Sequence, residues 1–126
     1  MKPSLALRFT AHAVVIQCAA NFSEGRRRDI VEAVAGESPV GDAVVADVSS
    51  DYDHNRTVIT WLGSPAALRT ALREAAGRAA KLLDLRDHAG VHPRLGVVDV
   101  VPFTPIRNAT MQDCVDLARS LGADLA

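Results

Sequence analysis

Aromatic residues are scarce in this chain, and positive charge is not in excess. Aromatics make up 4% of the 126 residues, and 14 Lys and Arg stand against 15 Asp and Glu. Sheets that read RNA stack bases on aromatic side chains, and nucleic-acid or anionic-membrane binding usually needs a clustered positive excess. We therefore expect no nucleic-acid partner and no membrane partner.

Cysteines and long apolar runs are also few. Cys18 and Cys114 lie far apart, and each sits inside an apolar run. This usage is typical of buried, reduced thiols in a cytoplasmic protein. Arg8 and His12 interrupt the apolar start of the chain before it could serve as an export signal, and no run approaches the ~20 residues that span a bilayer. We read residues 1–12 as a loose N-terminal leader and predict a cytoplasmic location.

Hydrophobic residues are abundant at 48%, enough for one small domain to bury a core without metal or disulfide staples. Short β-branched runs predict four strands, and apolar positions at spacings of three and four predict three helices. Asn21 and Ser23 offer caps for the first helix, and Pro102 and Pro105 are expected to end the fourth strand. The predicted strands cover 13–20, 42–50, 56–62 and 95–103, and the helices lie around 30–34, from Ser64-Pro65 to Leu83, and from Thr110 onward.

The order strand, helix, strand, strand, helix, strand and terminal helix is the split βαβ pattern of ferredoxin-like folds. We predict an α+β fold over residues 13–126, βαββαβ with an extra C-terminal helix. Its four-stranded sheet is antiparallel or mixed and carries the helices on one face. Right-handed crossovers make strands one and three central neighbours and leave the other face free for a ligand or a partner domain.

Three polar segments fall at strand ends, where sites usually collect: residues 21–25, 51–56 and 88–94. Within the third segment, His92 is the sharpest catalytic candidate. An imidazole titrates near pH ~6.5, so at neutral pH it can both accept and release a proton. The residues alone also fit a solvated loop histidine, which is the commoner case.

Arginines at the starts of strands are candidates for anion binding. Arg56 and Arg94 each follow a polar loop, and a planar guanidinium suits bidentate capture of a carboxylate. Pairing with nearby aspartates is the alternative. Residues 26–28 are three consecutive arginines at the start of the first predicted helix, where an anion could dock, although an ordinary solvated face is commoner.

Two metal patterns fail on inspection. His88 and His92 are four residues apart, as zinc ligands on a helix would be, but Pro93 makes a helix there improbable. A calcium loop beginning at Asp51 would need glycine at its sixth position, where this chain has Arg56. We therefore predict no metal.

Four segments of the chain then carry a family resemblance in their order and spacing. They read Cys-Ala-Ala-Asn-Phe-Ser-Glu-Gly at 18–25, Asp-His-Asn-Arg-Thr-Val at 53–58, Gly-Val-His-Pro-Arg-Leu-Gly-Val-Val-Asp-Val at 90–100 and Pro-Phe-Thr-Pro-Ile at 102–106. From about Val14 to its end, the chain resembles the N-terminal part of the formiminotransferase family, the glutamate formimidoyltransferases.

The resemblance implies transfer of the formimino group of N-formimino-L-glutamate to tetrahydrofolate, a co-substrate, in histidine breakdown and one-carbon metabolism. His92 matches the family's catalytic histidine, which would take a proton from the attacking amine and deliver it to the leaving nitrogen. Arg56 or Arg94 would hold the glutamyl carboxylates, and Asn21 or Asn55 the polar intermediate or the folate ring. The residues assigned to substrate and folate binding by their place in the shared motifs are Asn21, Ser23, Glu24, His54, Asn55, Arg56 and Arg94.

Members of the family resembled here have two α/β subdomains with folate in a tunnel between them, whereas this sequence stops at Ala126, before the first subdomain would normally finish. The resemblance therefore implies a homodimer or a partner chain that supplies the second subdomain. The isolated chain is expected to be weak or inactive. The alternative is a non-catalytic module, derived from the family, that binds folate or glutamate or another protein.

Overall fold

The computed structural model describes residues 9–36, 39–82 and 101–125. Its elements follow the predicted order, and the first strand lies two residues later than the predicted 13–20. The elements are β1 (Val15–Phe22), α1 (Arg28–Ala35), β2 (Val44–Asp51), β3 (Arg56–Gly63), α2 (Pro65–Leu82), β4 (Phe103–Arg107) and α3 (Met111–Leu125).

The four strands form one sheet in the order β2-β3-β1-β4. Every neighbouring pair is antiparallel, and β1 lies beside β3 with Asn21 opposite Val58. This confirms the ferredoxin-like α+β fold and decides for an antiparallel sheet over a mixed one. It also confirms that the first and third strands are central neighbours. Because they are antiparallel, the end of β1 lies beside the start of β3.

The main core lies between the sheet and the three helices. Successive side chains of a strand point to opposite sides, so β1 and β3 each present one fully buried row to the helices. Phe22 and Trp61 meet edge to face in this core, with ring centroids 6.1 Å apart. The buried residues of β1, β3, α2 and α3 in this cluster are Ile16, Cys18, Ala20, Phe22, Ile59, Trp61, Leu68, Ala71, Leu72, Ala75, Ala79, Cys114, Leu117 and Leu121.

Two helices begin at residues that are typical of helix starts. Thr110 and Asp113 form a capping box before α3, because each side chain bonds the other's backbone N–H, at 3.1 and 2.9 Å. Before α2, the carbonyl of Ser64 accepts the N–H of Leu68 at 2.9 Å, as a cap residue should. Among the described helices, none is long and apolar enough to cross a membrane.

The start of α1 differs from its prediction. β1 extends through Asn21, the helix begins only at Arg28, and Ser23 lies buried between them. The residue that precedes the helix is Arg27, and no described side chain caps the first turn. Glu24 accepts the N–H of Arg27 at 2.8 Å and so fixes the loop just ahead of the helix.

β4 also differs from its prediction. The predicted strand ended at Pro102 and Pro105, whereas β4 begins at Phe103 and passes through Pro105, which lies opposite Ile16. Residues 95–100 of the predicted strand lie outside the described part of the chain. Among the described strands β4 lies at the edge of the sheet, where one side of the backbone needs no ladder partner, and proline is accommodated there.

A second, smaller apolar cluster lies on the sheet face opposite the helices. Phe9 is 9% exposed and packs with Ala13 against Val15, Val44 and Leu62. We call residues 9–13 the N-terminal strap. The structure therefore differs from the predicted loose leader at the leader's last four residues, because burial of the Phe9 ring holds them against the sheet. Residues 1–8 lie outside the described part of the chain.

Candidate functional site

The sheet face opposite the helices, here called the open face, carries the partly exposed rows of the central strands. Apart from the N-terminal strap, no described element lies over it. Asn21 and Val58 face each other there. Arg56 lies two positions before Val58 in β3, on the same side of the sheet. Further positions of this face, assigned from the strand registers, are Gln17, Ala19, Asp47, Ser49, Thr60 and Thr104.

At one end of the open face, the loop of residues 21–27 meets the turn of residues 51–57. We call these two segments together the polar corner. A Cβ atom added to Gly25 would lie 2.5 Å from the backbone nitrogen of Arg56 and 2.6 Å from the carbonyl oxygen of Asp51. The two segments thus touch backbone to backbone, an approach that only glycine allows. This confirms the predicted adjacency of the first two polar segments.

Hydrogen bonds from buried side chains join the loop to the turn. Asn55 accepts the N–H of Gly25 through Oδ1 at 2.9 Å, and the hydroxyl of Thr57 donates to the carbonyl oxygen of Glu24. Because the single hydroxyl proton of Thr57 is used in this way, Ser50 is the donor in the 2.8 Å bond between their hydroxyl groups. Asn55 has a φ of 50°, a left-handed conformation that asparagine tolerates better than most residues.

Glu24 is the buried charge of the polar corner, with a side chain only 3% exposed. Its carboxylate accepts the N–H groups of Arg26 and Arg27 at 2.9 and 2.8 Å and lies 2.8 Å from the guanidinium of Arg27. Burial alone would raise the pKa of Glu24. The amide bonds and the Arg27 guanidinium outweigh burial, and they hold the pKa below its usual value. The carboxylate is therefore ionised and fixed in place at neutral pH.

The three consecutive arginines do not share one surface. Arg26 donates through Nε to the carbonyl of Tyr52 at 2.8 Å, and its guanidinium lies 5.1 Å from the centre of the Tyr52 ring. Arg27 pairs with Glu24, while Arg28 extends into solvent 3.8 Å from Glu32. Two of the three are thus engaged in holding the polar corner, and they precede α1 rather than lying inside it.

An Asp-His pair lies at the outer side of the turn. His54 contacts the carboxylate of Asp51 through Nδ1 at 2.7 Å, and its backbone N–H donates to the same carboxylate at 3.2 Å. These hydrogen bonds from His54 lower the pKa of Asp51. Both side chains are about half exposed, so water screens the pair.

The structure brings six of the eight predicted site residues into the polar corner. Asn21 and Arg56 are partly exposed on the open face, Ser23, Glu24 and Asn55 are buried, and His54 is exposed. Within the three described ranges, the guanidinium of Arg56 has no hydrogen-bond or ion-pair partner, which leaves it available to a carboxylate. His92 and Arg94 lie outside the described residues, and their roles stay predictions.

Thr57 and Ser50 have a part in the polar corner that the sequence analysis did not assign. A signal for Thr57 was present, because strand alternation places it on the same side as Ile59 and Trp61. A hydroxyl on the core side of a strand must find a partner, and Thr57 is 1% exposed. That requirement predicts a bond to a neighbouring loop, although it does not identify Glu24 as the acceptor.

A concavity of 1480 Å³ lies between α1 and β2, on the helix side of the sheet, and reaches the polar corner at Gly25 and Arg26. Val31, Val45 and Trp61 contribute apolar surface to it, and Glu32 and Arg78 contribute opposite charges. None of the six described site residues lines it. The open face and the polar corner therefore remain the candidate site.

The comparison with protein families assigns this antiparallel sheet and its polar corner to a known class of transferase domains. The chain belongs to the formiminotransferase domain family, and the model of that family's N-terminal subdomain matches residues 15–126. This shows the family that the four sequence segments indicated.

Relatives that are named for their activities extend the comparison. The chain is 38% identical over 113 residues to the formimidoyltransferase-cyclodeaminase of Rattus norvegicus, covering 89% of this chain and 21% of that protein. It is 40% identical over 109 residues to the glutamate formimidoyltransferase of Thermoplasma acidophilum, covering 86% of this chain and 36% of that protein. The corresponding enzyme of Streptococcus pyogenes serotype M1 is 34% identical over 110 residues, covering 86% and 37%. The chain thus spans between about a fifth and two fifths of the length of these curated relatives.

Proposed function

We propose that this chain is the N-terminal subdomain of a glutamate formimidoyltransferase, which moves the formimino group of N-formimino-L-glutamate to tetrahydrofolate. The names of the bacterial and archaeal relatives support the reaction. The observation that carries the proposal is the juxtaposition of Asn21 and Arg56 on the open face. They come from two separate family segments and lie diagonally across β1 and β3, a separation of about 7–8 Å between such positions.

The chemistry of the substrate fits these groups. N-formimino-L-glutamate carries two carboxylates, and the guanidinium of Arg56 can hold one of them through two parallel hydrogen bonds. The side-chain amide of Asn21 can both donate and accept, which suits the amidine-like group or the folate ring. The buried bonds of Glu24 and Asn55 hold the backbone of the loop and the turn that carry these two residues.

In the proposed transfer, a folate amine forms a bond to the formimino carbon, and the bond from that carbon to the glutamate nitrogen then breaks. The attacking amine must lose a proton and the leaving nitrogen must gain one. We assign both transfers to His92, and such general acid-base catalysis is worth about 10² to 10⁴ in rate. Tetrahydrofolate serves as co-substrate, and the proposal requires no metal.

The open face is the surface that a second subdomain would cover in this proposal. That subdomain could belong to the same protein, to a partner chain or to a second copy in a homodimer. The setting that follows from the reaction is histidine degradation and one-carbon metabolism in the cytoplasm. The runner-up is a non-catalytic module of this family that binds folate or glutamate on the same face, or binds a protein there.

A complementation assay tests the proposal. The chain is mixed with the part of the Thermoplasma acidophilum enzyme that follows the matched region, and formation of formimino-tetrahydrofolate is measured. We expect turnover in the mixture, a rate lower by about 10² to 10⁴ for His92→Ala, and a raised KM for N-formimino-L-glutamate in Arg56→Gln. Arg69→Gln, which removes a surface ion pair between α2 and α3, is the matched control and should leave KM unchanged.

One outcome would contradict the proposed reaction, and another would contradict the role of His92 in it. A stable complex without turnover, combined with folate or glutamate binding, would favour the non-catalytic module. Turnover that survives His92→Ala unchanged would remove that residue from the mechanism. Isothermal titration with tetrahydrofolate and with N-formimino-L-glutamate separates these cases, because it detects binding independently of the reaction.

A further inference from the structure

The N-terminal strap lies on the open face at the end opposite the polar corner. Its inner side is the ring of Phe9, which packs on Val15, Val44 and Leu62. Its outer side is polar or small and exposed to solvent: Thr10, Ala11 and His12. The strap therefore covers the apolar end of the sheet and presents polar or small residues to water.

A clamp from the end of β4 holds the strap in place. The side-chain amide of Asn108 donates to the carbonyl oxygens of Ala11 and Ala13, both at 2.9 Å. Asn108 has a φ of 53°, so the turn after β4 is shaped to direct this amide at the strap. A weaker contact of 3.4 Å joins the guanidinium of Arg107 to the carbonyl of Thr10. The strap is thus fixed by two independent means, burial of a ring and hydrogen bonds to its backbone.

The surface beneath the strap favours self-association when it is uncovered. Val44 belongs to β2, which lies at the edge of the sheet, and no described residue pairs with its outer backbone. An apolar patch beside an open strand edge is a surface on which a second copy of the chain can dock, through side-chain burial and through edge pairing.

We propose that the N-terminal strap is a clamped cover that prevents this chain from self-associating through the apolar end of its open face. The occupant of the uncovered apolar end is a second copy of this chain. The inference concerns the surface alone and holds whether or not the chain takes part in formimino transfer.

Sedimentation velocity over a range of concentrations tests this inference on the full 126-residue chain. Phe9→Ala removes the covering ring, whereas Asn108→Gly removes the clamp and still permits the left-handed φ. Each variant is expected to self-associate about tenfold more tightly than the wild type, since uncovering Val15, Val44 and Leu62 exposes apolar surface worth at least that factor. Binding of a dye specific for exposed apolar surface should rise in parallel.

Two further variants make the result specific. Leu62→Thr, introduced together with Phe9→Ala, should reverse the added association, because it removes apolar surface beneath the strap. Met111→Ala truncates a side chain that is already 63% exposed at the start of α3, and it should behave as the wild type. Circular dichroism shows whether Phe9→Ala folds, and Asn108→Gly carries the test if it does not. Unchanged association in Asn108→Gly, or association that Leu62→Thr fails to reverse, overturns the inference.

Discussion

The two ends of the open face are built on different physical principles. At the polar corner, hydrogen bonds hold backbone segments that are 30 residues apart, as between Gly25 and Asn55. At the strap end, roughly 20 Å away along β1, Phe9 is buried against Val44 and Leu62, and Asn108 binds the strap backbone. Hydrogen bonds are directional and fix where a side chain lies, whereas apolar burial fixes only that a surface is covered.

This difference explains which end of the open face is suited to chemistry. Catalysis needs groups held in a defined geometry. At the polar corner, buried hydrogen bonds between the loop and the turn hold the backbone that carries Asn21 and Arg56. At the strap end, the hydrogen bonds hold the backbone of the strap, whereas the apolar residues beneath it are joined by packing. Four predictions test the comparison, and they descend from the largest expected effect to the smallest.

Gly25→Ala should cause the largest loss of stability. The new methyl group would meet the backbone of Arg56 at 2.5 Å, and backbone atoms cannot move aside as a flexible side chain can. We expect the free energy of unfolding to fall by about 3 kcal/mol. The measurement is denaturant unfolding followed by circular dichroism.

The same substitution at Gly77 is the matched control for Gly25→Ala. Gly77 lies in α2, and a Cβ there would meet nothing within 4 Å. Alanine favours helix over glycine, so Gly77→Ala should stabilise the chain by about 0.5–1 kcal/mol. Equal effects at the two glycines would contradict the close contact of loop and turn.

Glu24→Gln should cost about 2 kcal/mol, since it removes the charge that accepts the amides of Arg26 and Arg27 and pairs with the Arg27 guanidinium. Glu32→Gln is the control, because Glu32 is exposed and lies 3.8 Å from Arg28. Its effect on the free energy of unfolding should be much smaller.

The contribution of Glu24 should also depend on pH, with a sign set by its lowered pKa. A carboxyl whose pKa is lower in the folded chain than in the unfolded one stabilises the fold above the unfolded value of 4.5. That stability is lost as the pH falls through the folded pKa. The stability difference between wild type and Glu24→Gln should therefore be constant near neutrality and shrink below pH 4.5, and a difference that grows in acid would contradict the assignment.

Val44→Ala, compared with Val48→Ala, tests the strap end. Both residues lie in β2, but Val44 is 8% exposed beneath the strap and Val48 is 43% exposed. We expect about 1–2 kcal/mol of lost stability at Val44 and less than about 0.5 kcal/mol at Val48. Equal losses would show that the strap does not cover Val44 in solution.

His54→Ala should have the smallest effect on stability, because the Asp51–His54 pair is about half exposed on the turn. Its clearest result is expected in a titration of the Asp51 carboxyl by nuclear magnetic resonance. The hydrogen bonds from His54 lower the pKa of Asp51, so removal of the ring should move that pKa back toward its ordinary value of 3.8. An unchanged pKa would show that the pair does not form in solution.

Local signals in the sequence predicted much of the fold. The capping box of Thr110 and Asp113 and the long apolar stripe of α2 depend on residues a few positions apart, and both are present in the structure. Local signals predict the start of α1 less well, because β1 runs on through Phe22 and the helix begins only at Arg28.

The remaining differences depend on contacts that local patterns do not report. Local rules predict that Pro105 ends a strand. It lies within β4 because that strand is at the edge of the described sheet, where proline costs no ladder hydrogen bond. Phe9 looks like part of a short leader until the chain folds and Val15, Val44 and Leu62 come together beneath it. The hydrogen bond from Thr57 to the carbonyl of Glu24 joins two segments that are distant in the sequence.

The sequence by itself determined the order of the elements, the pairing of β1 with β3 and the family to which the chain belongs. These follow from side-chain periodicity, from caps and from motif residues that can be read without coordinates. Tertiary structure alone decided which polar residues are buried supports and which face the open side of the sheet. It also decided that the N-terminal strap covers the other end. The reason is physical, because burial and hydrogen bonding between distant segments exist only once the sheet has brought those segments together.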